Sequence, residues 1–374
     1  MRIGYDAKRL FNNFTGLGAY SRTLLRNLAK ASPDDAFWLY TPKTKDHTET
    51  QPFLQNPAFK IRTPQRGNAA WWRTSGIKKD LQHDGIQLFH GLSHEIPLGL
   101  HRTGIRSVVT IHDLIFKHYP SQYGFFDRLV YDWKFKYACR HADRIVAISE
   151  STKQDIIAFY GIAPERIEVI YQSCDERFLQ KLPQETITTI AQNYRLPQQY
   201  LLYVGSIIER KNLLRIVQAL ALLPNDLKLP LVVVGKGSGY EKQVRQYLAD
   251  KALEEWVHFI RPDFEHLPAI YQGASVFLYP SVCEGFGIPV IEALCSGVPV
   301  ITSNRSSLPE AAGTHSWLVD PTSAEEIAEG IQVLLTDALL REKAIQEGLI
   351  HVEKFKDAVV TQQMLALYRN LLSS

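Results

Sequence analysis

The sequence predicts an α/β protein built from two doubly wound, parallel-sheet domains. Three observations predict it. The chain has 374 residues, which suggests two domains at roughly 100–200 residues each. Short apolar runs alternate with helical patterns in two successive rounds, as strand–helix units of a parallel sheet do. A polar, weakly periodic stretch carrying a proline, 173–197, separates the rounds. The expected domains are therefore 1–180 and 181–358.

In the first round, strands are expected at 2–5, 37–40, 86–89, 107–111, 144–148 and 167–170. Helical patterns cover 18–30 and 151–160, the latter opening on Ser151-Thr-Lys-Gln154, a capping-box pattern. In the second round, strands are expected at 200–204, 231–234, 257–260, 276–279, 298–302 and 317–319, with helices over 212–222, 240–249 and 325–335. No short internal repeat is present; the duplication is of fold type, not of sequence.

Composition is that of an ordinary globular protein, 45% hydrophobic and 22% charged. The longest apolar runs, such as Leu229-Pro-Leu-Val-Val-Val234, fall far short of the ~20 residues that span a bilayer. Met1-Arg-Ile-Gly-Tyr-Asp6 already reads as a strand, with no apolar leader. Cysteines 139, 174, 283 and 295 show no Cys-x-x-Cys spacing. A reduced, cytoplasmic protein is expected. Net charge is +3, from +7 over residues 1–180 and −4 over the remainder. A basic first half suits an anionic acceptor or an anionic membrane surface, although scattered surface charge would give the same figure.

The chemistry concentrates in Phe277-Leu-Tyr-Pro-Ser-Val-Cys-Glu-Gly-Phe-Gly-Ile-Pro-Val-Ile-Glu-Ala-Leu-Cys-Ser-Gly297. An apolar strand runs into a glycine-bearing loop and then a helix from Pro289, where a missing N–H costs nothing; Gly297 stops it. Glu284 lies in the loop and Glu292 is expected in the first helical turn. Gly285 and Gly287 allow a close backbone approach. Ligands of open α/β sheets bind where strands end and helices begin, and helix-start amides favour anions or hydroxyl-rich groups.

Other candidates are sparser. Gly16 and Gly18 of Thr15-Gly-Leu-Gly18 could cradle a diphosphate, or form a plain tight turn; as a dinucleotide fingerprint the stretch is incomplete, with Ser21 at the third glycine. In Val204-Gly-Ser-Ile-Ile-Glu-Arg-Lys-Asn212, Arg210 and Lys211 are adjacent cations opening a helix, suited to a diphosphate. His112 of Thr110-Ile-His-Asp-Leu114 ends an apolar strand, where sites collect; Asp113 can cap the next helix. Gly235-Lys-Gly-Ser-Gly239 reads as a strand–helix junction, and Arg261-Pro-Asp-Phe264 follows the next strand. His90 and His94 could touch an acceptor or be structural. Residues 123–137 interleave aromatics with basic residues. Such a helix can lie on a membrane or a lipid-linked acceptor, or be a core helix with a basic polar face. No nucleic-acid module accompanies the charges.

Glu284 and Glu292, with Gly-Phe-Gly between them and a proline opening the helix, resemble the Glu-x7-Glu motif of retaining glycosyltransferases, most closely family four, with the B-type (GT-B) fold. The resemblance implies two Rossmann-like domains facing across a cleft, with the last helix, 359–374, crossing back to the first. It implies Glu292 on the donor ribose, and Glu284 on sugar hydroxyls beside Gly285 and Gly287. Amides from Phe286 to Ile288 would orient the ring. Arg210 and Lys211 would stabilise the leaving nucleoside diphosphate, and His112 would reach the donor sugar. Gly16 and Gly18 would lie at the donor phosphates or the acceptor edge. Gly205 and Ser206 would border the donor, with Ser206 standing where many relatives have arginine.

The Arg-Lys-Asn212 variant, with Phe14-Thr-Gly-Leu-Gly-Ala-Tyr20, looks most like mannosyltransferases of bacterial surface polysaccharide assembly. That implies GDP-mannose as donor, with UDP-hexoses behind it, and a growing glycan or lipid-linked acceptor met at the inner face of the cell membrane. No two aspartates sit two apart, so the Asp-x-Asp clamp of A-type glycosyltransferases is missing, and no His/Cys spacing suggests zinc. Neither metal nor cofactor is expected. Two readings from other classes remain: a nicotinamide-dependent oxidoreductase, invited by the glycine turns, and a non-catalytic nucleotide-sugar-binding protein.

Overall fold

The computed structural model describes residues 1–65 and 68–373; Ser374, the end of the expected last helix, lies outside them. The chain divides into two units: Met1–Ser173 with the carboxy-terminal segment from Asp357, and Cys174–Lys356.

Among the described residues the first unit holds seven parallel strands: β1 (Arg2–Asp6), β2 (Ala36–Tyr40), β3 (Phe59–Arg62), β4 (Leu88–Gly91), β5 (Arg106–Ile111), β6 (Arg144–Ala147) and β7 (Ile167–Val169), in the order β3-β2-β1-β4-β5-β6-β7. The second holds six: β8 (Leu201–Val204), β9 (Leu231–Val234), β10 (Val257–Ile260), β11 (Val276–Tyr279), β12 (Val300–Ser303) and β13 (Trp317–Val319), in the order β10-β9-β8-β11-β12-β13. Strand order reverses between β1 and β4 and again between β8 and β11. At such a reversal the loops leaving neighbouring strands diverge to opposite faces and open a crevice at the carboxyl ends.

Central strands such as β9 and β11 are continuous, fully buried apolar runs because helices cover both faces of the sheet. In the first unit, adjacent residues enter different cores: Val108 packs in one cluster and Val109 in the other, the period of two that a pleated strand imposes. The last helix, Asp357–Ser373, completes one of these cores with Val360, Met364, Leu365, Leu367, Tyr368 and Leu371. The Tyr368 hydroxyl meets His90 Nδ1 at 2.6 Å, and His90 Nε2 meets Thr110 Oγ1 at 2.8 Å. His90 is thus a satisfied core residue, and its burial pushes its pKa down to about 3; of its two readings the structural one holds.

Four local expectations are corrected. β3 was not expected. The stretch 173–197 is not a bare linker, since it contains the helix Gln184–Asn193. The helix over 151–160 begins earlier, at Glu150, and is capped by Ser149, whose hydroxyl accepts from the Thr152 amide, not by Ser151. The aromatic-basic stretch forms the helix Phe125–His141, which buries only Phe135, Ala138 and Cys139; its first half is not a core helix. All four cysteines are free and buried. No helix of the described residues is long and apolar enough to cross a membrane.

Candidate active site

In the second unit β8 and β11 are neighbours, with Val276 beside Leu201 and Phe277 beside Leu202. The loops at their carboxyl ends therefore emerge side by side, which brings residues 210 and 211 against residue 284. Glu284 sits at the centre, its side chain 11% exposed. One carboxylate oxygen, Oε2, pairs with an Arg210 guanidinium nitrogen at 2.9 Å, and the other, Oε1, with Lys211 Nζ at 3.0 Å. The Tyr279 hydroxyl donates to Oε1 at 3.1 Å, and Lys211 Nζ donates to that hydroxyl. Burial alone would push the Glu284 carboxyl up; Lys211 and Arg210 outweigh it and hold it at about 2. Two cations thus converge on one ionised carboxylate, and the three side chains together carry +1.

The backbone explains how the cations get there. Arg210 and Lys211 lie in a single 3₁₀ turn, Glu209–Lys211, immediately ahead of the helix Leu213–Leu222 that they were expected to open. Asn212 joins turn to helix with φ of +64°, a left-handed conformation that asparagine tolerates. Its amide donates to the Pro280 and Pro321 carbonyls at 3.0 and 2.6 Å, tying the turn to the Glu284 loop. Arg210 also donates to the Cys283 carbonyl.

The Glu284 loop is pinned by residues that sequence reasoning missed. Ser306 Oγ accepts from the Glu284 amide at 3.0 Å, and Ser307 Oγ donates to the Glu284 and Phe286 carbonyls at 2.9 Å each. Gly287 is the N-cap of the helix Ile288–Cys295, at φ of +120°. A Cβ there would come within 2.9 Å of Leu308 Cδ2, so both space and conformation demand glycine. Glu292 is the fifth residue of that helix, beyond the first turn in which it was expected. Its carboxylate accepts from the Tyr271 hydroxyl at 2.9 Å. Burial raises it to about 7, against the lowering effect of Tyr271; Asp175 nearby raises it further and Arg177 lowers it. The two glutamates are thus in opposite states near neutrality: Glu284 is fully ionised and Glu292 titrates. At the next junction, a Cβ on Gly235 would lie 2.0 Å from the Gly205 carbonyl oxygen. Close packing of two backbones accounts for Gly235, as a plain junction requires. Ser206, which ends this turn, is exposed.

Two family models match the chain. "Glycosyltransferase Family 4" matches residues 14–178 and "Glycosyl transferases group 1" matches residues 187–350. The chain belongs to glycosyltransferase family four. Among the relatives of this glycosyltransferase is O-antigen chain mannosyltransferase B of Escherichia coli, 29% identical over 99% of this chain and 100% of that protein. Another is O-antigen chain mannosyltransferase RfbU of Salmonella typhimurium, 26% identical over 71% of this chain and 65% of that protein. Among solved structures, a glycosyltransferase from Rickettsia africae covers 99% of this chain and 98% of its own, with a TM-score of 0.78 and 16% identity. Anabaena HepE in complex with UDP and glucose covers 99% and 100%, with a TM-score of 0.77 and 18% identity. The fold is the B-type glycosyltransferase fold.

The remaining candidates of this family-four glycosyltransferase lie in the first unit. His112, just past β5, is buried and held at both nitrogens. Nε2 donates to the Leu92 carbonyl at 2.9 Å, and Nδ1 accepts from the Gln172 amide at 3.0 Å. Burial pushes it down to about 4, so it is a neutral imidazole of fixed tautomer near pH 7. Tyr20 packs edge-on to it, ring centroids 4.7 Å apart. His94, at φ of +63°, stacks on Phe135 with ring centroids 4.2 Å apart. Asp113 accepts from the Ile115 amide at 3.2 Å, consistent with a capping role. Among the described residues no group of three or more His, Cys, Asp and Glu side chains gathers as a metal site would require.

The two glycines of the first loop differ. The Gly18 amide is bonded to Asn13 Oδ1 at 3.1 Å, and a Cβ there would fall 1.7 Å from the Asn13 carbonyl oxygen, whereas Gly16 has nothing within 4 Å of such a Cβ. Gly18→Ala should therefore displace the 13–18 loop and destabilise the protein by about 1–3 kcal/mol. Gly16→Ala should stay within about 0.5 kcal/mol of the parent. Thermal melts of the two variants check this; equal melting temperatures would remove the contrast.

Proposed function

We propose that this glycosyltransferase moves a hexose, mannose in the first instance, from a nucleoside diphosphate sugar to a hydroxyl of a glycan or lipid-linked acceptor, with retention of configuration and without a metal ion. The observation that carries the proposal is the pairing of Arg210 and Lys211 on the Glu284 carboxylate at the point where strand order reverses. Two cations fixed beside a sugar-binding carboxylate are placed to meet the charge that grows on a departing diphosphate, the role a divalent cation fills elsewhere. Glu284 would grip sugar hydroxyls, with Gly285, Gly287 and the amides of Phe286 and Ile288 orienting the ring. Glu292 would accept from the ribose hydroxyls. Gly205 and Ser206 would border the diphosphate, as would Gly16. The Gly18 amide is already engaged, so its part would be to shape that loop. His112, neutral and of fixed tautomer, would position the sugar. A donor phosphate oxygen would take the acceptor's proton on the same face. The mannosyltransferase names of the relatives support mannose, and with it GDP-mannose as the donor.

A thermal-shift panel of GDP, UDP, ADP and their sugars, with and without EDTA, tests the donor and the metal together. GDP-mannose should raise the melting temperature most, and EDTA should leave that shift unchanged. A larger shift with UDP-sugars would replace the base, and abolition by EDTA would overturn metal independence. Retention is read from the anomeric configuration of the product by NMR. Donor binding with no transfer to any acceptor would revive the reading as a non-catalytic binding protein.

A further inference from the structure

Two cations stand unpaired at the carboxyl end of β1. Lys8 and Arg9 begin the short helix Lys8–Asn12, which follows that strand directly. Both residues are half-buried, yet among the described residues neither side chain takes part in an ion pair or a hydrogen bond. Burial, Arg73 and Arg9 push the Lys8 amine below its ordinary pKa, and Glu95 and Asp6 do not restore it. Those two acids are already engaged. Asp6 accepts from Arg73 at 3.0 Å, and Glu95 pairs with Arg73 at 2.8 Å and with Lys134 at 3.2 Å. Four cations, Lys8, Arg9, Arg73 and Lys134, therefore face two carboxylates, a surplus of two positive charges. Solvated surface cations need no explanation. Half-buried ones without a partner carry a desolvation cost that a bound anion would offset.

A second observation falls on the same place. β1 and β4 are neighbours at the reversal of strand order, and His94 lies three residues past the end of β4. It is held at φ of +63° and is 7% exposed. Its Nδ1 is buried without a hydrogen-bond partner, as is the Ser93 hydroxyl. The His94 and His112 rings have centroids 5.2 Å apart. Burial chiefly holds both imidazoles neutral, and Arg9 lowers each of them further. Arg9 therefore stands beside both rings. A buried polar atom left unpaired on a strained residue is what a ligand site leaves when it is empty of protein partners.

We propose that Lys8 and Arg9, with His94 beside them, form a second anion site in the first unit, for a phosphate or diphosphate ester on the acceptor side of the reaction. Service to the acceptor rests on the transfer reading above; the binding of an anion does not. A phosphate fits better than a carboxylate, because it brings up to two charges and more acceptor oxygens to a surplus of two. Arg210 and Lys211 differ in that Glu284 already pairs with both. Lys8 and Arg9 have no protein carboxylate to give up on binding.

Calorimetric titration of the full-length protein with inorganic pyrophosphate, in saturating GDP, tests the site. GDP fills the donor site, so the binding that remains reads the first unit. One site is expected, and it should weaken as salt rises. Lys8→Gln and Arg9→Gln should each weaken it by about tenfold or more, the usual effect of losing a charge-assisted hydrogen bond. Mannose 1-phosphate should compete for it, and mannose should not. Without ligand, both variants should melt at or above the parent temperature, because each removes a half-buried charge that has no partner to lose. Absence of pyrophosphate binding in GDP, binding indifferent to both variants, equal competition by mannose, or a fall in both melting temperatures overturns the proposal. Binding through Lys8 and Arg9 in a protein that takes up no GDP would uphold this site and remove the donor reading instead, so the two fail separately.

Discussion

Arg210→Ala and Lys211→Ala are each expected to lower kcat by about 10²–10³ while leaving the fold intact, because each would stabilise charge that develops only as the diphosphate departs. The structure says why the single variants should fold. Glu284 is held by both cations and by Tyr279, so removing one leaves the buried carboxylate still paired. Removing both strands it, and the double variant should lose about 3–5 kcal/mol of stability, the usual cost of an uncompensated buried charge. The same pairing sets an acid limb. The folded carboxyl sits at about 2 against an ordinary value of 4.5, so its contribution is complete above 4.5 and is lost as pH falls through about 2; it amounts to roughly 3 kcal/mol at neutral pH. Denaturant titrations of parent and single variants across that range check the linkage, and single-turnover rates check the chemistry. Near-normal rates in both single variants would refute the role assigned to the pair.

Glu292→Gln should act in opposite directions on binding and on stability. Glu292 is raised to about 7 in the folded protein from an ordinary 4.5. Folding is therefore most favoured while the group keeps its proton, and stability falls as pH rises from about 4.5 to about 7. Above that the buried carboxylate costs roughly 3 kcal/mol. The uncharged amide escapes that cost, so at pH 8 the variant should be more stable by an amount approaching it, and at pH 4.5 nearly equal to the parent. Donor affinity should fall by about 10- to 100-fold, as expected when charged hydrogen bonds to a ribose diol become neutral ones. Parent affinity should itself strengthen as pH rises through 7. Calorimetric titration with GDP at pH 6 and pH 8 separates the two effects; an affinity indifferent to both pH and substitution would remove Glu292 from the donor site.

The sequence showed strands wherever both faces of the sheet are covered. β9 and β11, wholly buried, stand where their apolar runs place them, because a strand buried on both sides admits only such residues. β3 was overlooked for the complementary reason. Its Phe-Lys-Ile-Arg sequence lies at a sheet edge, half-buried, and carries too little apolar signal over four residues. The motif glutamates were legible through their glycines and proline. Ser306, Ser307 and Tyr271, which hold those glutamates and their loop, were not. They come from other elements, and only the packing of those elements against the helix Ile288–Cys295 makes them neighbours. The helix Phe125–His141 was ambiguous because apolar residues occur all round it, so periodicity could not say which side is buried.

The last helix has a consequence for how the chain comes into being. Tyr368 and His90 meet across 278 residues of sequence, and the unit that holds both is interrupted by the whole of the other. On a ribosome releasing about 5–20 residues per second, the inserted half has all its own residues available while the half synthesised first still lacks a wall of its core. The apolar residues that face Tyr368, Met364 and Leu371 must then wait for the final segment to emerge. Loss of the helix Asp357–Ser373 would spoil the core of the unit synthesised first, not that of the unit inserted into it.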